Sequence, residues 1–429
     1  MNKATQEQKK ASNKTWYLRM LGPGLITGAS DDDPGTIATC SQAGAQLGFS
    51  ISWMMLFSYP LMAAIQEISG RIGRTTGRGI VGNIRLYSPN WLLQALVIML
   101  FIPNMINIGA DLGAMGDAVG LLIGGPRLLH VVLFGALCAA LQIFVPYKSY
   151  VSVLRWLTLI LFAYFGTMMV VKIPWAEFAT GLLIPTFSSS GAFWTTVVAI
   201  LGATISPYLF VWQASQEVEE IHKVAERKPL VKNPKQGRDA IERSRLDTYV
   251  GMGISNLVGL AIIGTTAATL HANGLTDIET SSQAAEALRP VAGPLAFTIF
   301  TLGIVGTGLL AIPVLAGSAA YAVAEARMWP EGLWRKPLAA KGFYATIAIA
   351  TAIGVVMNFS SINPIKALYW SQVINGIVAV PVMVLVMRVA ADPKIMEKFA
   401  ITGWLKFLGW GATGVMAAAV VGMGFASVI

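Results

Sequence analysis

The sequence predicts an all-α membrane protein with about eleven transmembrane helices, and three observations lead to this class. The chain has 429 residues, of which 55% are hydrophobic, and its mean hydropathy is +0.62. Only 12% of the residues are charged, whereas soluble domains carry about 25%. The apolar residues form long runs separated by short, mostly basic loops. These values largely exclude a soluble enzyme or a nucleic-acid-binding domain, despite the net charge of +9.

Each predicted span is an apolar run long enough to cross the hydrocarbon core, which takes about 20 helical residues. The third and eighth runs are long enough to be tilted or to extend beyond the bilayer. The runs lie near 21–46, 50–70, 91–124, 128–147, 150–172, 192–217, 246–271, 292–325, 342–358, 363–388 and 402–428.

The distribution of basic residues predicts the orientation. If the N-terminus is cytoplasmic, 27 of the 31 Lys and Arg residues fall on the inner side. The four on the outer side are Arg127, Lys172, Arg289 and Lys366. This asymmetry is typical of cytoplasmic loops, so we expect a multi-pass protein of the cell (inner) membrane with its C-terminus outside. It also explains the net charge better than a nucleic-acid surface does.

Two runs, five spans apart, contain a stretch of small residues with a proline. The first break covers 28–36 and includes Asp31-Asp32-Asp33-Pro34, and the second covers 202–208. Proline removes a backbone donor and disfavours helix at the preceding residue, so both spans are predicted to be broken. Matching breaks in two inverted halves indicate a transporter with a binding site at the midplane.

The domain organisation follows from these breaks. Residues 1–20 are predicted to form a cytoplasmic tail, 21–172 a first five-helix repeat and 192–388 a second one. A charged cytoplasmic loop at 218–245 lies within the second repeat and is expected to be solvated. Residues 402–429 are predicted to form an eleventh helix.

Six acidic residues fall inside the predicted spans: Asp31, Asp32, Asp33, Glu67, Asp111 and Asp117. Ionised carboxylates in hydrocarbon are costly and indicate function. No Lys or Arg lies at a depth similar to Asp33, so its expected partner is an external cation. An alternative for Asp31, Asp32 and Asp117 is that they line a wet vestibule or are protonated.

Oxygen donors near the breaks form a candidate metal site. The predicted ligands are Asp33, Thr36, the carbonyl of Ala203, Ser206 and Gln372, and the possible pathway residues are Asp32, Asp111 and Tyr208. Hard oxygen ligands suit Mg²⁺, Ca²⁺ and Mn²⁺. An alternative for Gln372 is a hydrogen bond between helices. The three histidines lie near span ends or in a loop, and no methionine occurs between 170 and 251.

Five short motifs stand out in the spans: Gly22-Pro23-Gly24, Asp33-Pro34-Gly35-Thr36, Gln42-Ala43-Gly44-Ala45, Gly202-Ala203-Thr204 and Trp370-Ser371-Gln372. Together they resemble the Nramp family of divalent metal transporters. The resemblance covers the whole spanning region. It implies a LeuT-type fold in which spans 1–5 and 6–10 are inverted repeats, with a metal site between broken spans one and six.

The departures from the family pattern refine this expectation. Thr36 stands where the family usually has Asn, and Ser206-Pro207-Tyr208 stands where it has Met-Pro-His. Asp111 matches a family carboxylate, but Gly113 replaces a nearby acidic residue. The pattern resembles the Nramp-related magnesium transporters, a branch that carries Mg²⁺ and Mn²⁺ without proton coupling. Loss of a thioether removes discrimination against hard ions, and small side chains would leave room for a partly hydrated ion.

The function expected from the sequence is uptake of Mg²⁺ and Mn²⁺ by alternating access, driven by the membrane potential. No enzyme activity, cofactor, nucleic acid or obligatory protein partner is expected; the partners are the transported ions and the lipid bilayer. The alternatives are a proton-coupled Mn²⁺ or Fe²⁺ importer and a Na⁺-coupled organic-solute symporter on the same fold. An intramembrane aspartyl protease lacks support, because no convincing pair of catalytic carboxylates is found.

Overall fold

The structure is a computed structural model that describes residues 23–145, 159–223, 226–360 and 362–427. Within these ranges the chain is helical and contains no strand. Its α-helices are α1 (Pro23–Asp31), α2 (Pro34–Leu47), α3 (Trp53–Thr76), α4 (Ile80–Tyr87), α5 (Asn90–Ile123), α6 (Arg127–Phe144), α7 (Ala163–Val170), α8 (Trp175–Leu183), α9 (Gly191–Thr204), α10 (Pro207–Lys223), α11 (Gly237–Thr269), α12 (Ser281–Glu286), α13 (Arg289–Ala292), α14 (Ala296–Arg327), α15 (Lys341–Met357), α16 (Pro364–Ala391), α17 (Pro393–Met396) and α18 (Gly403–Ala426).

Short 3₁₀ segments join several of these helices. They lie at Gly48–Ile51, Leu159–Phe162, Pro234–Gln236, His271–Asn273, Gly293–Leu295, Pro337–Ala339 and Glu397–Phe399. The first of them links α2 to α3, and the chain bends there by 110°.

Helices occupy all the predicted apolar runs in the described residues, but the count of eleven spans is not confirmed. By length and composition, seven helical stretches in the described part of the chain could cross a membrane, or up to eight if the bent pair α2 and α3 forms one span. The α15 helix and the 159–170 stretch are shorter apolar helices. Residues 1–22, which include the predicted cytoplasmic tail, and residues 146–158 of the fifth run lie outside the described residues.

The helices differ in how deeply they are buried, and this separates a central group from a peripheral one. Of the 18 most apolar consecutive residues in the stretch formed by α9 and α10, 89% are buried, against 28% in α6 and in α18. The stretch that contains α14 is also central, with 78% of the corresponding residues buried. The peripheral helices expose large apolar side chains, as expected for surfaces that contact lipid.

The α1 helix packs against α11 through glycines. A β-carbon on Gly24 would collide with the backbone of Thr248, and one on Gly28 would collide with the backbone of Gly251. The Gly24 amide also donates to Asp247 Oδ2 at 2.7 Å. The absence of side chains therefore lets the first helix approach α11 closely enough for a direct backbone contact.

The predicted solvated loop at 218–245 is shorter than expected, because α10 runs on to Lys223 and α11 begins at Gly237. The remaining segment is also docked on the protein. Leu230 is fully buried, and its amide donates to the Arg74 carbonyl at the end of α3. An apolar residue within a charged segment explains this correction, since its burial holds the loop against the helical bundle.

Candidate metal site at two helix interruptions

The first helix interruption lies between α1 and α2. Asp33 has an extended backbone (φ −69°, ψ 167°), and its Oδ1 accepts a 2.6 Å hydrogen bond from the Thr36 amide. Asp is a favoured N-cap residue and Pro34 a favoured first helical residue. The sequence therefore ends one helix and starts the next at this point, and it holds a carboxylate at the positive end of the α2 dipole.

The second interruption lies between α9 and α10. Ile205 leaves the helical conformation (φ −119°, ψ 59°), and Pro207 begins the next helix. Ser206 Oγ donates to the Gly202 carbonyl at 2.6 Å and lies 3.1 Å from the Ala203 carbonyl. The Ala203 carbonyl, expected to be free, is therefore partly engaged, because the serine hydroxyl takes the place of the amide donors that the break removes.

Tyr208 joins the two interruptions. Its hydroxyl donates to Asp33 Oδ2 at 3.2 Å and lies 3.5 Å from the Ser30 carbonyl. The side chain is 1% exposed. The start of α10 is thus in direct contact with the carboxylate at the start of α2, whereas no hydrogen bond among the described residues joins Ser206 to Asp33.

Gln372 on α16 lies beside both interruptions. A β-carbon on Gly35 would collide with Gln372 Nε2, and one on Gly202 would collide with the Gln372 carbonyl. The amide oxygen accepts a 2.9 Å hydrogen bond from Asn375 Nδ2 on the same helix. In this structure the amide nitrogen is the atom next to Gly35, so metal coordination by Gln372 requires its amide to rotate.

Asp111 on α5 forms another wall of the site. Its carboxylate is close enough to Asp33 for their charges to interact, and its Oδ2 has no hydrogen-bond partner among the described residues. Thr36 Oγ1 and both polar atoms of Asn107 are likewise buried without partners. The sequence analysis missed Asn107, although its position four residues before Asp111 places both on one helix face.

The other acidic residues predicted in the spans have local partners. Glu67 pairs with Arg71 at 2.8 Å, and Asp117 accepts a 2.5 Å hydrogen bond from Ser281 Oγ. These contacts separate Glu67 and Asp117 from the group around Asp33.

Asp31 and Asp32 share a partner that the sequence analysis did not identify. Ser255 Oγ on α11 lies 2.6 Å from Asp31 Oδ2 and 3.0 Å from Asp32 Oδ1. A hydroxyl donates one hydrogen, so it fully satisfies only one of the two carboxylates at a time. A serine followed by an asparagine marks a polar position in this glycine-rich apolar span, but it does not indicate which residues that position faces.

The group at the interruptions is closed to solvent and rich in oxygen donors. The predicted ligands Asp33, Thr36, Ala203, Ser206 and Gln372, and the pathway residues Asp32, Asp111 and Tyr208, are each at most 4% exposed. In the part of the chain that the structure describes, no ion pair reaches the Asp33 or Asp111 carboxylate. No group of three His, Cys, Asp or Glu residues is close enough there to hold a metal ion. The arrangement can attract a hard cation through two carboxylates and coordinate it through neutral oxygens.

Polar contacts close the site on two sides. On the side of the α1 start, Thr27 Oγ1 donates to Gln213 Oε1 at 2.6 Å, which ties α1 to α10. Towards the end of α2, Thr196 Oγ1 lies 2.9 Å from the Tyr369 hydroxyl and donates to Gln46 Oε1 at 3.0 Å. We call these contacts the α1 layer and the α2 layer.

Solved structures with a similar fold include two kinds of transporter. The manganese transporter of Eremococcus coleocola matches with a TM-score of 0.74 and 17% identity, over 95% of this chain and 86% of that one. Mhp1 in its inward-facing conformation matches with a TM-score of 0.51 and 12% identity, over 95% of this chain and 91% of that one. These similarities confirm the all-α, LeuT-type fold class.

Sequence relatives include two bacterial proteins named divalent metal cation transporter MntH. The one from Klebsiella pneumoniae is 26% identical over 410 residues, which cover 93% of this chain and 92% of the relative. The one from Yersinia enterocolitica is 29% identical over 318 residues, covering 72% and 73%. The family model described as natural resistance-associated macrophage protein-like matches residues 24–426. The chain therefore belongs to the Nramp family.

Proposed function

We propose that this multi-pass membrane protein carries Mg²⁺, and also Mn²⁺, into the cell by alternating access without proton coupling. The observation that carries the proposal is the chemistry of the side chains at the two helix interruptions. Asp33, Thr36, Ser206 and Asp111 offer oxygen atoms only, and Ser206 occupies the position at which the family resemblance predicts a methionine. Oxygen ligands favour Mg²⁺ and Mn²⁺ over softer transition metals.

Unpaired buried oxygen atoms on α2 and α5 support binding of a partly hydrated ion. Thr36 Oγ1, Asp111 Oδ2 and Asn107 Oδ1 are buried and lack hydrogen-bond partners among the described residues. Buried polar atoms are normally paired, so these oxygens are available to the ion or to its water ligands. Mg²⁺ gives up its water reluctantly. Asp33 would then supply the main charge, and the neutral oxygens would receive hydrogen bonds from the retained waters.

The proposed transport cycle opens the two layers in turn. When the α2 layer opens, through separation of Gln46 on α2 from Thr196 on α9, an ion enters from outside and reaches Asp33. When the α1 layer at Thr27 and Gln213 separates, the ion leaves to the cytoplasm. The inside-negative potential supplies about 2.3 kcal/mol per charge for each 100 mV, and a divalent ion receives twice that amount.

The proposed orientation places the N-terminus in the cytoplasm and the C-terminus outside, in the inner membrane. The charge asymmetry of the loops supports it. Within this frame, 21–172 and 192–388 would form the two inverted five-helix repeats, each beginning with an interrupted helix. The opposite orientation would reverse the roles of the two layers.

A proton-coupled Mn²⁺ importer is a second candidate, and it fits the relatives at least as well. The similar structure from E. coleocola is a manganese transporter, and the curated relatives are named MntH. The shared Ser255 hydroxyl also supports this candidate, because one of the Asp31 and Asp32 carboxyls is left incompletely satisfied. A carboxyl in that situation can hold a proton and release it during transport.

Reconstituted liposomes containing a pH-sensitive dye distinguish the two candidates. With an inside-negative potential, we expect uptake of both Mg²⁺ and Mn²⁺ and no acidification of the lumen. The same measurement on liposomes without protein corrects for leakage. Proton influx that depends on the added metal, or transport of Mn²⁺ with no effect of excess Mg²⁺, would favour the proton-coupled manganese importer.

A further inference from the structure

A cavity of about 220 Å³ lies away from the helix interruptions, at the end of the molecule that carries the basic loops. Its walls come from the second half of α10, the end of α14 with the loop after it, and the turn before α4. Three of the lining residues are carboxylates: Glu219, Glu325 and Glu331. The transport cycle proposed above does not use this cavity.

Hydrogen bonds hold two of these carboxylates in the cavity wall. Glu219 Oε1 accepts from the Tyr321 hydroxyl and from the Leu333 amide, both at 2.6 Å. Glu325 Oε2 accepts from the Gly82 amide in the first turn of α4 at 2.7 Å. Donors of this kind favour the ionised form of a carboxyl group. Two carboxyl groups are therefore held in the wall by contacts that involve three separate segments of the chain.

The positive charge that lines the cavity is smaller. Arg335 is the one Lys or Arg among the lining residues; its Nε donates to the Glu331 carbonyl at 3.0 Å, and its guanidinium lies 4.2 Å from the centre of the Trp334 ring. Burial, together with the charges of Glu325 and Glu219, raises the pKa of the Glu331 carboxyl to about 9. In the absence of a cation Glu331 therefore holds a proton at neutral pH, and a bound cation would favour its release. Three carboxyl groups thus share the cavity with one guanidinium that is already engaged.

Unpaired oxygens in the lining are an independent sign of a ligand. Ser215 on α10 is 2% exposed, and its Oγ has no hydrogen-bond partner in the described part of the chain. Glu331 Oε2 is also buried without a partner. Both residues line the cavity. These oxygens lack donors, and the water shell of a cation is a source of donors that fits a polar cavity.

We propose that this cavity binds a hydrated divalent cation from the basic end of the protein and thereby holds α10 to the loop after α14. Six waters at about 30 Å³ each occupy roughly 180 Å³, which the cavity can accommodate. Among the described residues, no three carboxylates are close enough to bind a bare ion directly. Binding therefore proceeds through water ligands, which Mg²⁺ tends to retain.

The site has a regulatory consequence, because α10 begins next to Tyr208, which contacts Asp33. A cation that ties the far end of α10 to its neighbours restrains the helix on which the opening of the α1 layer depends. With the basic end in the cytoplasm, as the loop charges predict, a high internal concentration of divalent cation slows further uptake. The cavity then acts as a feedback sensor.

Binding of cobalt(III) hexammine tests the site directly, since this ion keeps its ligands and can bind only through them. Calorimetry on the purified protein compares Glu331→Gln with Glu242→Gln, which makes the same substitution at an exposed residue of α11. We expect binding at least about tenfold weaker in Glu331→Gln and unchanged in Glu242→Gln. Equal affinity in the two variants overturns the proposal.

Two more variants separate this site from the transport site and from folding defects. Asp33→Asn is expected to leave hexammine binding in place, and loss of all binding in that variant contradicts a second site. Ser215→Val is expected to weaken binding severalfold if Glu331→Gln does not yield a monodisperse protein. Unchanged binding in Ser215→Val and Glu331→Gln also overturns the proposal. None of these results depends on which metal is transported.

Liposomes in which the basic end faces the lumen test the feedback. With millimolar Mg²⁺ inside, initial Mn²⁺ uptake by the wild type and by Glu242→Gln is expected to fall severalfold relative to Mg²⁺-free liposomes. Glu331→Gln is expected to transport at a similar rate with and without internal Mg²⁺. Equal slowing in all three proteins overturns the regulatory role.

Discussion

Each of the two helix interruptions contains a proline, but only the first has a charged side chain next to it. At the first, the Asp33 carboxylate lies at the start of α2. Its Oδ1 accepts from the Thr36 amide and its Oδ2 from the Tyr208 hydroxyl. At the second, Ser206 supplies a neutral hydroxyl that satisfies the carbonyls at the end of α9. The first break therefore provides charge for a cation. At the second break the Ser206 side chain satisfies the carbonyls, so this break contributes shape and ligand type.

This difference explains how one fold can serve different ions. The charge at Asp33 attracts any cation and distinguishes poorly between metals of equal charge. The side chain at 206 contributes little charge, but an oxygen or a sulfur there changes the preference between hard and soft metals. The four predictions below separate these contributions, in order of decreasing expected effect.

Replacing Asp33 removes the charge at the first interruption. We expect Asp33→Asn to weaken Mg²⁺ and Mn²⁺ binding by about 100-fold, because a buried divalent cation loses its main counter-charge. Isothermal titration of the purified protein measures the change. Asp117→Asn is the matched control, since it removes a carboxylate that is paired with Ser281. A similar loss in both variants would falsify the special role of the first interruption.

Replacing Ser206 changes the ligand type at the second interruption. We expect Ser206→Met to raise the ratio of Cd²⁺ to Mg²⁺ affinity by about tenfold, because a thioether favours soft metals. Competition of each metal against Mn²⁺ uptake gives the ratio. Ser206→Leu has similar bulk without sulfur and should leave the ratio unchanged. If Leu and Met change the ratio equally, size rather than sulfur governs selectivity.

The contact between the interruptions is tested by Tyr208→Phe, which removes the hydroxyl donor to Asp33. We expect uptake to fall by about two- to tenfold, in line with one hydrogen bond worth about 0.5–1.5 kcal/mol. Tyr344→Phe removes a hydroxyl that donates to the Arg335 carbonyl, away from the interruptions, and serves as the control. Wild-type uptake in Tyr208→Phe would mean that Asp33 needs no positioning from α10.

The smallest effect is expected from a neutral oxygen. Thr36→Val keeps the shape of the side chain and removes an unpaired hydroxyl, so Mg²⁺ affinity should fall by about two- to threefold if Oγ1 contacts the ion or its water. Thr39→Val is a close control, because Thr39 Oγ1 is also buried without a partner one turn later on α2. Equal affinities in the two variants would remove Thr36 from the site.

Much of the helical architecture could be predicted from the sequence. A membrane span requires a long apolar run, and basic residues concentrate in the cytoplasmic loops. The two breaks were also predictable, since Asp33-Pro34 and Ser206-Pro207 combine a proline with residues that can cap a helix. Docking of the loop at Leu230 was not predicted, because burial of a single apolar residue in a charged segment depends on its distant partner on α3.

Side-chain pairings across helices were the least predictable part of the site. Nothing in the local sequence indicates that Ser255 faces Asp31, or that the amide nitrogen of Gln372 lies next to Gly35. Such contacts depend on how each helix is rotated and on its distance from its neighbours. An apolar pattern indicates which face of a helix is buried, but not which residues that face meets. Asn107 could have been identified from its spacing to Asp111.

The close approach of α9 and α16 limits which parts of the molecule can move. Gly202 and Gly376 face each other without side chains: a β-carbon on Gly202 would collide with the Gly376 amide, and one on Gly376 would lie 2.7 Å from the Val198 carbonyl. Backbones this close cannot slide past each other without steric clashes. We expect α9 and α16 to form a stationary frame. The α10 helix, and α1 together with the α11 helix that it contacts equally closely, carry out the displacement that each transported ion requires.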